Sequence, residues 1–228
     1  GGRRESRGVV QSASYGARAF GVRSGMPIAQ AVRLCPGATF FQGDFDHYRD
    51  ASRTVRQLLT GFSPTVVMAS LDEGYLDFTG TEQLHPHSLL PVAERLRLRI
   101  SRDTGLDSSI GIGPNRMVAK LASDYAKPRG ICEVRAGWEA GFLAGLELRA
   151  LPGIGPRTAE RLTRLGLTEV RQVQEKSEAE LTRLLGDFAR ELLQDEGVAV
   201  VDVAVHRGVH DVRIVIVERQ PETARVPG

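Results

Sequence analysis

The apolar periodicity of this chain changes character once, near residue 135, and that change restricts the fold more than any other feature. Up to about Ile131, short β-branched runs alternate with segments of helical spacing; from Glu139 to Glu196 the chain reads as helices joined by short glycine-containing turns, with almost no strand signal. A domain boundary is therefore expected near residue 135. In the first part, Gly8 to Ser14 reads as a strand leading into a helix at Tyr15 to Phe20. Pro27 opens a second helix, in a first-turn position, that Pro36-Gly37 stops, and Thr39-Phe40-Phe41 reads as a short strand. A helix from about Phe45 to Leu59, a β-rich segment from Thr65 to Phe78, a helix from Leu89 to Ile100 and a strand at Ser108 to Ile112 follow. Asn115 can then cap a helix running to Tyr125. The last stretch, Val198 to Gly228, joins a Val-rich run to Glu218-Arg219-Gln220-Pro221 and is expected to be an exposed linker rather than a core element.

With 228 residues, 41% of them hydrophobic and 25% charged, the composition excludes disordered and fibrous chains, and the length allows two small domains. The formal net charge of +2 announces no nucleic-acid partner by itself. Residues 1–60, however, carry nine arginines against four acids, so an anionic partner would be met locally. Cys35 and Cys132 are too few for a disulfide framework or a cysteine-based zinc site and read as buried free thiols in a reducing compartment. No apolar run approaches the ~18 residues of a membrane span. Gly1-Gly2-Arg3-Arg4 is followed by no apolar core of a signal peptide, so a cytoplasmic location is expected. A start without Met predicts a processed or truncated chain.

Four segments could carry chemistry. Ser70-Leu71-Asp72-Glu73-Gly74-Tyr75-Leu76-Asp77-Phe78 sets three carboxylates in a β-like apolar run, where charges are costly unless a cation neutralises them. Asp72 and Glu73 would point to opposite faces of a regular strand and could share a Mg²⁺ only if the backbone bends, which Gly74 would permit; a surface turn between hairpin strands is the alternative. Ser14-Tyr15-Gly16-Ala17-Arg18 starts a helix where Tyr15 and Arg18 could meet a phosphate, or simply be solvated. Gly111-Ile112-Gly113-Pro114-Asn115 fits no phosphate-loop pattern and reads as a tight strand-to-helix turn, leaving Lys120 and Lys127 as possible anion contacts. Leu151-Pro152-Gly153-Ile154-Gly155-Pro156-Arg157 followed by an apolar face of Ala159, Leu162 and Leu165 resembles a helix-hairpin-helix, whose backbone amides can hold a DNA phosphate. His85, His87, His206 and His210 read as loop histidines.

In this order, Ala13 to Pro27 (ASYGARAFGVRSGMP), Ser70 to Asp77, Ser109 to Asn115 with Lys127-Pro128-Arg129-Gly130, and the helix-hairpin-helix resemble the Y-family DNA polymerases of the DNA polymerase IV type. The resemblance implies an α+β fold: a palm with a mixed or antiparallel sheet, a small fingers subdomain and an all-α helix-hairpin-helix thumb. Fingers are expected at 1–44, palm at 45–134, thumb at 135–200, and at 201–228 a linker toward a further, little-finger domain. It also implies low-fidelity, template-directed nucleotidyl transfer on damaged primer–template DNA in translesion synthesis, using deoxynucleoside triphosphates and two Mg²⁺ ions. Asp72 would bridge both ions and Glu73 would serve the one that activates the primer 3′-hydroxyl. Ser12, Tyr15, Arg18 and Lys127 would hold the incoming nucleotide, and Gly153, Gly155 and Arg157 the primer-strand phosphates. A monomer is expected, with a sliding clamp binding through a region beyond the chain. The family's first strand, which carries a further metal-binding Asp and the aromatic residue that excludes ribonucleotides, is expected upstream of Gly1, leaving an incomplete metal site and a catalytically weak or dead chain. Gly74 and Gly113 stand where Ala is usual in the family and Arg116 where Lys is usual. The alternative is a non-catalytic DNA-binding relative that keeps the fold.

Overall fold

The computed structural model describes residues 3–5, 7–81, 83–85 and 87–185, with the backbone of residues 212–218. The expected helical continuation to Glu196, and His206 and His210, lie outside the described residues. Two compact units are present, one ending at Arg53 and the other running from Thr54 to Glu218.

In the first unit, Ser14 caps α1 (Tyr15–Ala19) by accepting the Ala17 amide at 3.2 Å, and α2 (Ile28–Leu34) buries Ile28 and Ala31. A small core gathers Val10, Val22 and Ala31 with Ala13, Ala17, Met26, Cys35 and Phe40. The strand expected at Gly8 to Ser14 shrinks to one bridge between Val9 and Pro27, because Pro27 has no amide with which to extend a ladder. Pro27 is the N-cap of α2 rather than a first-turn residue. Thr39-Phe40-Phe41 forms no strand; Phe40 folds into the small core instead. The unit boundary falls inside α3 (Phe45–Thr60).

The second unit is built on a five-stranded sheet whose order is β1 (Thr65–Met68), β2 (Glu73–Asp77), β5 (Val212–Glu218), β3 (Asp107–Ile112) and β4 (Ile131–Glu133). All neighbours are antiparallel except β3 and β4, which are parallel. The two-residue period of the strands sorts their side chains. Leu76, Ile110 and Ile112 join Val55 and Leu59 of α3 and Leu96 and Ile100 of α4 (Leu90–Thr104) in one apolar cluster. Tyr75 instead packs on Ala119 of α5 (Arg116–Tyr125), on the opposite face. Asn115 caps α5 by accepting the Val118 amide at 2.9 Å, as its position predicts. The close seating of α5 requires Gly111: a Cβ there would stand 1.8 Å from the Ala119 carbonyl oxygen.

The Val-rich run read as linker contains a central strand, since residues 212–218 pair with both β2 and β3. Val212-Arg213-Ile214-Val215-Ile216-Val217 is almost continuously β-branched, the composition of a strand with neighbours on both sides. Residues 201–211 and 219–228 lie outside the described residues. The helical part comprises α6 (Glu139–Ala144), a 3₁₀ turn at Leu148–Ala150, α7 (Pro156–Arg164), α8 (Val170–Gln174) and α9 (Glu178–Leu185) around Leu143, Leu148, Leu162, Val170 and Leu181. Leu121 and Met117 of α5 enter that cluster, so the change of periodicity near 135 separates two cores inside one unit. Leu165 is 40% exposed rather than buried with Leu162; α7 has ended at Arg164, and Leu167 takes the buried position.

Candidate active site

β1 and β2 form a hairpin closed by the Ala69 and Ser70 amides, which donate to the Glu73 carbonyl at 2.9 and 3.3 Å. Asp72 is the last turn residue and Glu73 the first of β2, so the two carboxylates leave the backbone where it changes direction. The hairpin turn therefore supplies the bend expected at Gly74. Gly74 itself lies within β2 on the α3 side, where a Cβ would stand 2.9 Å from Leu59 Cδ1. The surface-turn alternative thus describes the backbone here, and it leaves Asp72 and Glu73 adjacent at the end of the hairpin.

Asp72 is exposed and accepts a hydrogen bond from Ser70 Oγ at 2.6 Å. Glu73 is partly buried and held at both oxygens: Tyr75 Oη donates to Oε1 at 2.6 Å, and Lys120 Nζ lies 3.3 Å from Oε2. Lys120 also lies 3.6 Å from Asp124 Oδ2, and Asp124 Oδ1 is 2.9 Å from Lys127 Nζ. The Arg116 guanidinium covers the Tyr75 ring, 5.1 Å from its centroid. Burial, followed by the hydrogen bond to Glu73 and its charge, pushes the Tyr75 hydroxyl far above the usual phenol range.

Lys120, read as an anion contact, is thus engaged by Glu73 and Asp124. Tyr75 and Asp124 carry no sequence motif of their own, although Arg116, Lys120 and Asp124 recur at the four-residue spacing of one helix face, with Lys127 three residues further on. Two adjacent carboxylates at a strand start suit Mg²⁺, a hard cation commonly held by one or two carboxylates with waters and substrate phosphates. Among the described residues no group of three or more potential ligands converges.

Ser12, Tyr15 and Arg18 belong to the first unit. Ser12 is exposed; Arg18 donates from Nε to the Ala13 carbonyl at 2.9 Å, and its guanidinium carbon lies 5.9 Å from the Tyr15 ring centroid. In the helical part, Leu151 and Ile154 are buried and turn Gly153, Gly155 and Arg157 outward. Gly153 has φ +89°, a conformation L side chains rarely adopt, and Gly155 is the N-cap of α7 with no side chain to cap the helix. The amides of Arg157 and Thr158 consequently have no internal partner among the described residues.

A profile of the impB/mucB/samB family matches residues 1–124. The chain belongs to this family. It is 43% identical over 189 residues to the DNA polymerase IV of Dehalococcoides mccartyi, an alignment covering 83% of this chain and 48% of that protein. The crystal structure of DinB from Sulfolobus solfataricus superposes with a TM-score of 0.75 at 29% identity, covering 90% of this chain and 59% of that one. The insertion ternary complex of Dbh DNA polymerase superposes with a TM-score of 0.70 at 31% identity, covering 85% and 56%. The chain spans about half the length of the curated relatives it matches. The α+β fold is that of the Y-family polymerases, which use divalent metal ions.

Proposed function

We propose that this chain carries the nucleotidyl-transfer site of a translesion DNA polymerase, adding a deoxynucleotide to a primer end opposite a damaged template. The observation that carries the reading is the hairpin-end pair Asp72–Glu73, flanked by Lys120 on α5 and, through Asp124, by Lys127 just past the end of that helix. On this reading residues 1–44 are fingers, 45–134 palm and 135–200 thumb.

Phosphoryl transfer of this kind asks little covalent chemistry of a protein and depends on positioning and charge stabilisation. Asp72 and Glu73 would hold Mg²⁺, two ions in the full site; when bound, the metal supplies positive charge that favours the attacking oxygen as a nucleophile and neutralises the phosphates. Tyr75 and Lys120 fix the orientation of Glu73. The family resemblance assigns contacts to the deoxynucleoside triphosphate to Ser12, Tyr15 and Arg18 of the first unit and to Lys127 of the second. The outward amides after Gly153 and Gly155, with Arg157, hold primer-strand phosphates without reading sequence. The protein acts as a cytoplasmic monomer on primer–template DNA, with a sliding clamp as a further partner.

Single-nucleotide primer extension with Mg²⁺ tests the reading. Incorporation by the wild-type chain that Asp72→Ala abolishes supports it, and incorporation that survives Asp72→Ala removes the carboxylate pair from the chemistry. A second reading, a non-catalytic DNA-binding relative, is favoured by one observation: Glu73 faces Ile216 across the β2–β5 register, so β5 brings no carboxylate opposite it. It predicts DNA binding without Mg²⁺-dependent incorporation in wild type and variant alike.

A further inference from the structure

Lys127, the residue assigned above to the triphosphate, is not presented to solvent as an isolated cation. Its ammonium lies 2.9 Å from Asp124 Oδ1, and the second oxygen of the same carboxylate faces Lys120 at 3.6 Å. Lys120 in turn leans on Glu73 at 3.3 Å, so carboxylates and ammoniums alternate along these four side chains. Arg116 is turned onto the Tyr75 ring, and Arg129, beyond Lys127, is paired with Asp107 at 2.9 Å. An anion arriving at Lys127 therefore meets a carboxylate already bound to the same nitrogen.

We propose that Asp124 is a resident competitor for Lys127, which holds the lysine's grip on phosphate below its intrinsic strength and so favours release of the phosphate leaving group. The proposal rests on the reading of Lys127 as a triphosphate ligand. Two effects of the carboxylate oppose one another. It orders a long side chain, which favours binding, and it sets a negative charge beside the incoming phosphate, which disfavours it. Ordering is partly secured without Asp124, because Lys127 follows directly on the C-cap of α5 and its side chain is three-quarters buried. The Asp124 charge stands directly at the Lys127 ammonium, and repulsion prevails.

The test is calorimetric binding of inorganic tripolyphosphate and of pyrophosphate to the full chain in EDTA, which removes any metal contribution. Asp124→Asn is expected to bind both anions at least threefold more tightly than wild type, Asp124→Ser to do the same, and Asp124→Glu, which restores the charge, to return to wild-type affinity. Lys127→Met is expected to bind several-fold more weakly, and adding Asp124→Asn to it is expected to recover little, since the effect acts through Lys127. Unchanged or weaker binding by both Asp124→Asn and Asp124→Ser, with Lys127→Met still impaired, overturns the competitor role and leaves the ligand role of Lys127 intact. Equal binding by wild type and Lys127→Met overturns the ligand role and the competitor role together.

Discussion

Ser108 Oγ is buried in β3 and has no hydrogen-bond partner among the described residues. A buried hydroxyl left unpaired loses its water without compensation, so Ser108→Ala is expected to raise stability by about 1 kcal/mol, read as a higher urea midpoint at unchanged slope. At the end of α4, Arg102 Nε donates to Asp103 Oδ1 at 2.8 Å and Arg99 Nε donates to Oδ2, and these bonds hold the Asp103 carboxyl below its usual range. A depressed native pKa gives stability that is present above the unfolded value of about 3.9 and lost as pH falls through the native value. The stability gap between wild type and Asp103→Asn is therefore expected to be steady from pH 7 to about 5, to narrow below about 4, and to shrink at about 1 M salt, as urea midpoints across that range would show. At this scale Asp72 and Glu73 were legible because charges in an apolar run call for a reason. Their partners were not: Tyr75 meets Glu73 through the strand's own alternation, but Lys120 reaches it only after α5 has packed across the sheet, a tertiary event that residue spacing foreshadows without locating.

That packing is the decisive event among the elements. Gly111→Ala would place a methyl 1.8 Å from the Ala119 carbonyl oxygen and 2.3 Å from the Ser123 amide nitrogen, both backbone atoms that cannot swing aside. Overpacking against backbone is expected to cost about 3 kcal/mol or more, measured by denaturant unfolding, and to lift α5 away from β3. Gly74→Ala is different in kind, because the atoms it would approach, Leu59 Cδ1 and Met68 Sδ, end flexible side chains. The helices from α3 to α7 were readable from periodicity and caps, with Asn115 as the clearest case. β5 reads as linker in sequence because charges and a Pro follow it, although the strand itself is almost continuously β-branched. The short strands expected near Val9 and Thr39 erred the other way, since strand-forming residues make no strand without a partner that can donate back.

For the molecule as a whole, and on the proposed function, a net charge of +2 leaves any attraction to DNA to local groups, and the amides at the start of α7 carry no formal charge that salt could screen. Arg157→Ala is expected to weaken DNA binding by a similar factor across sequences and to reduce the salt slope of the binding constant by about one, as anisotropy titrations at several salt concentrations would measure. The two cores of the second unit were legible as a change of periodicity, whereas their union through α5 was not, because one helix contributes Ala119 to the sheet side and Leu121 to the helical side. The position of β5 has a consequence for synthesis. Asp77 and Val212 are register partners, yet nearly the whole second unit is translated between them. While the chain is being made, the β1–β2 hairpin and the β3–β4 pair must wait as separate fragments, each with an open edge that any passing strand could join. Closure of the sheet is thus deferred until residue 218 clears the ribosome, and the unpaired edges stay open for that interval.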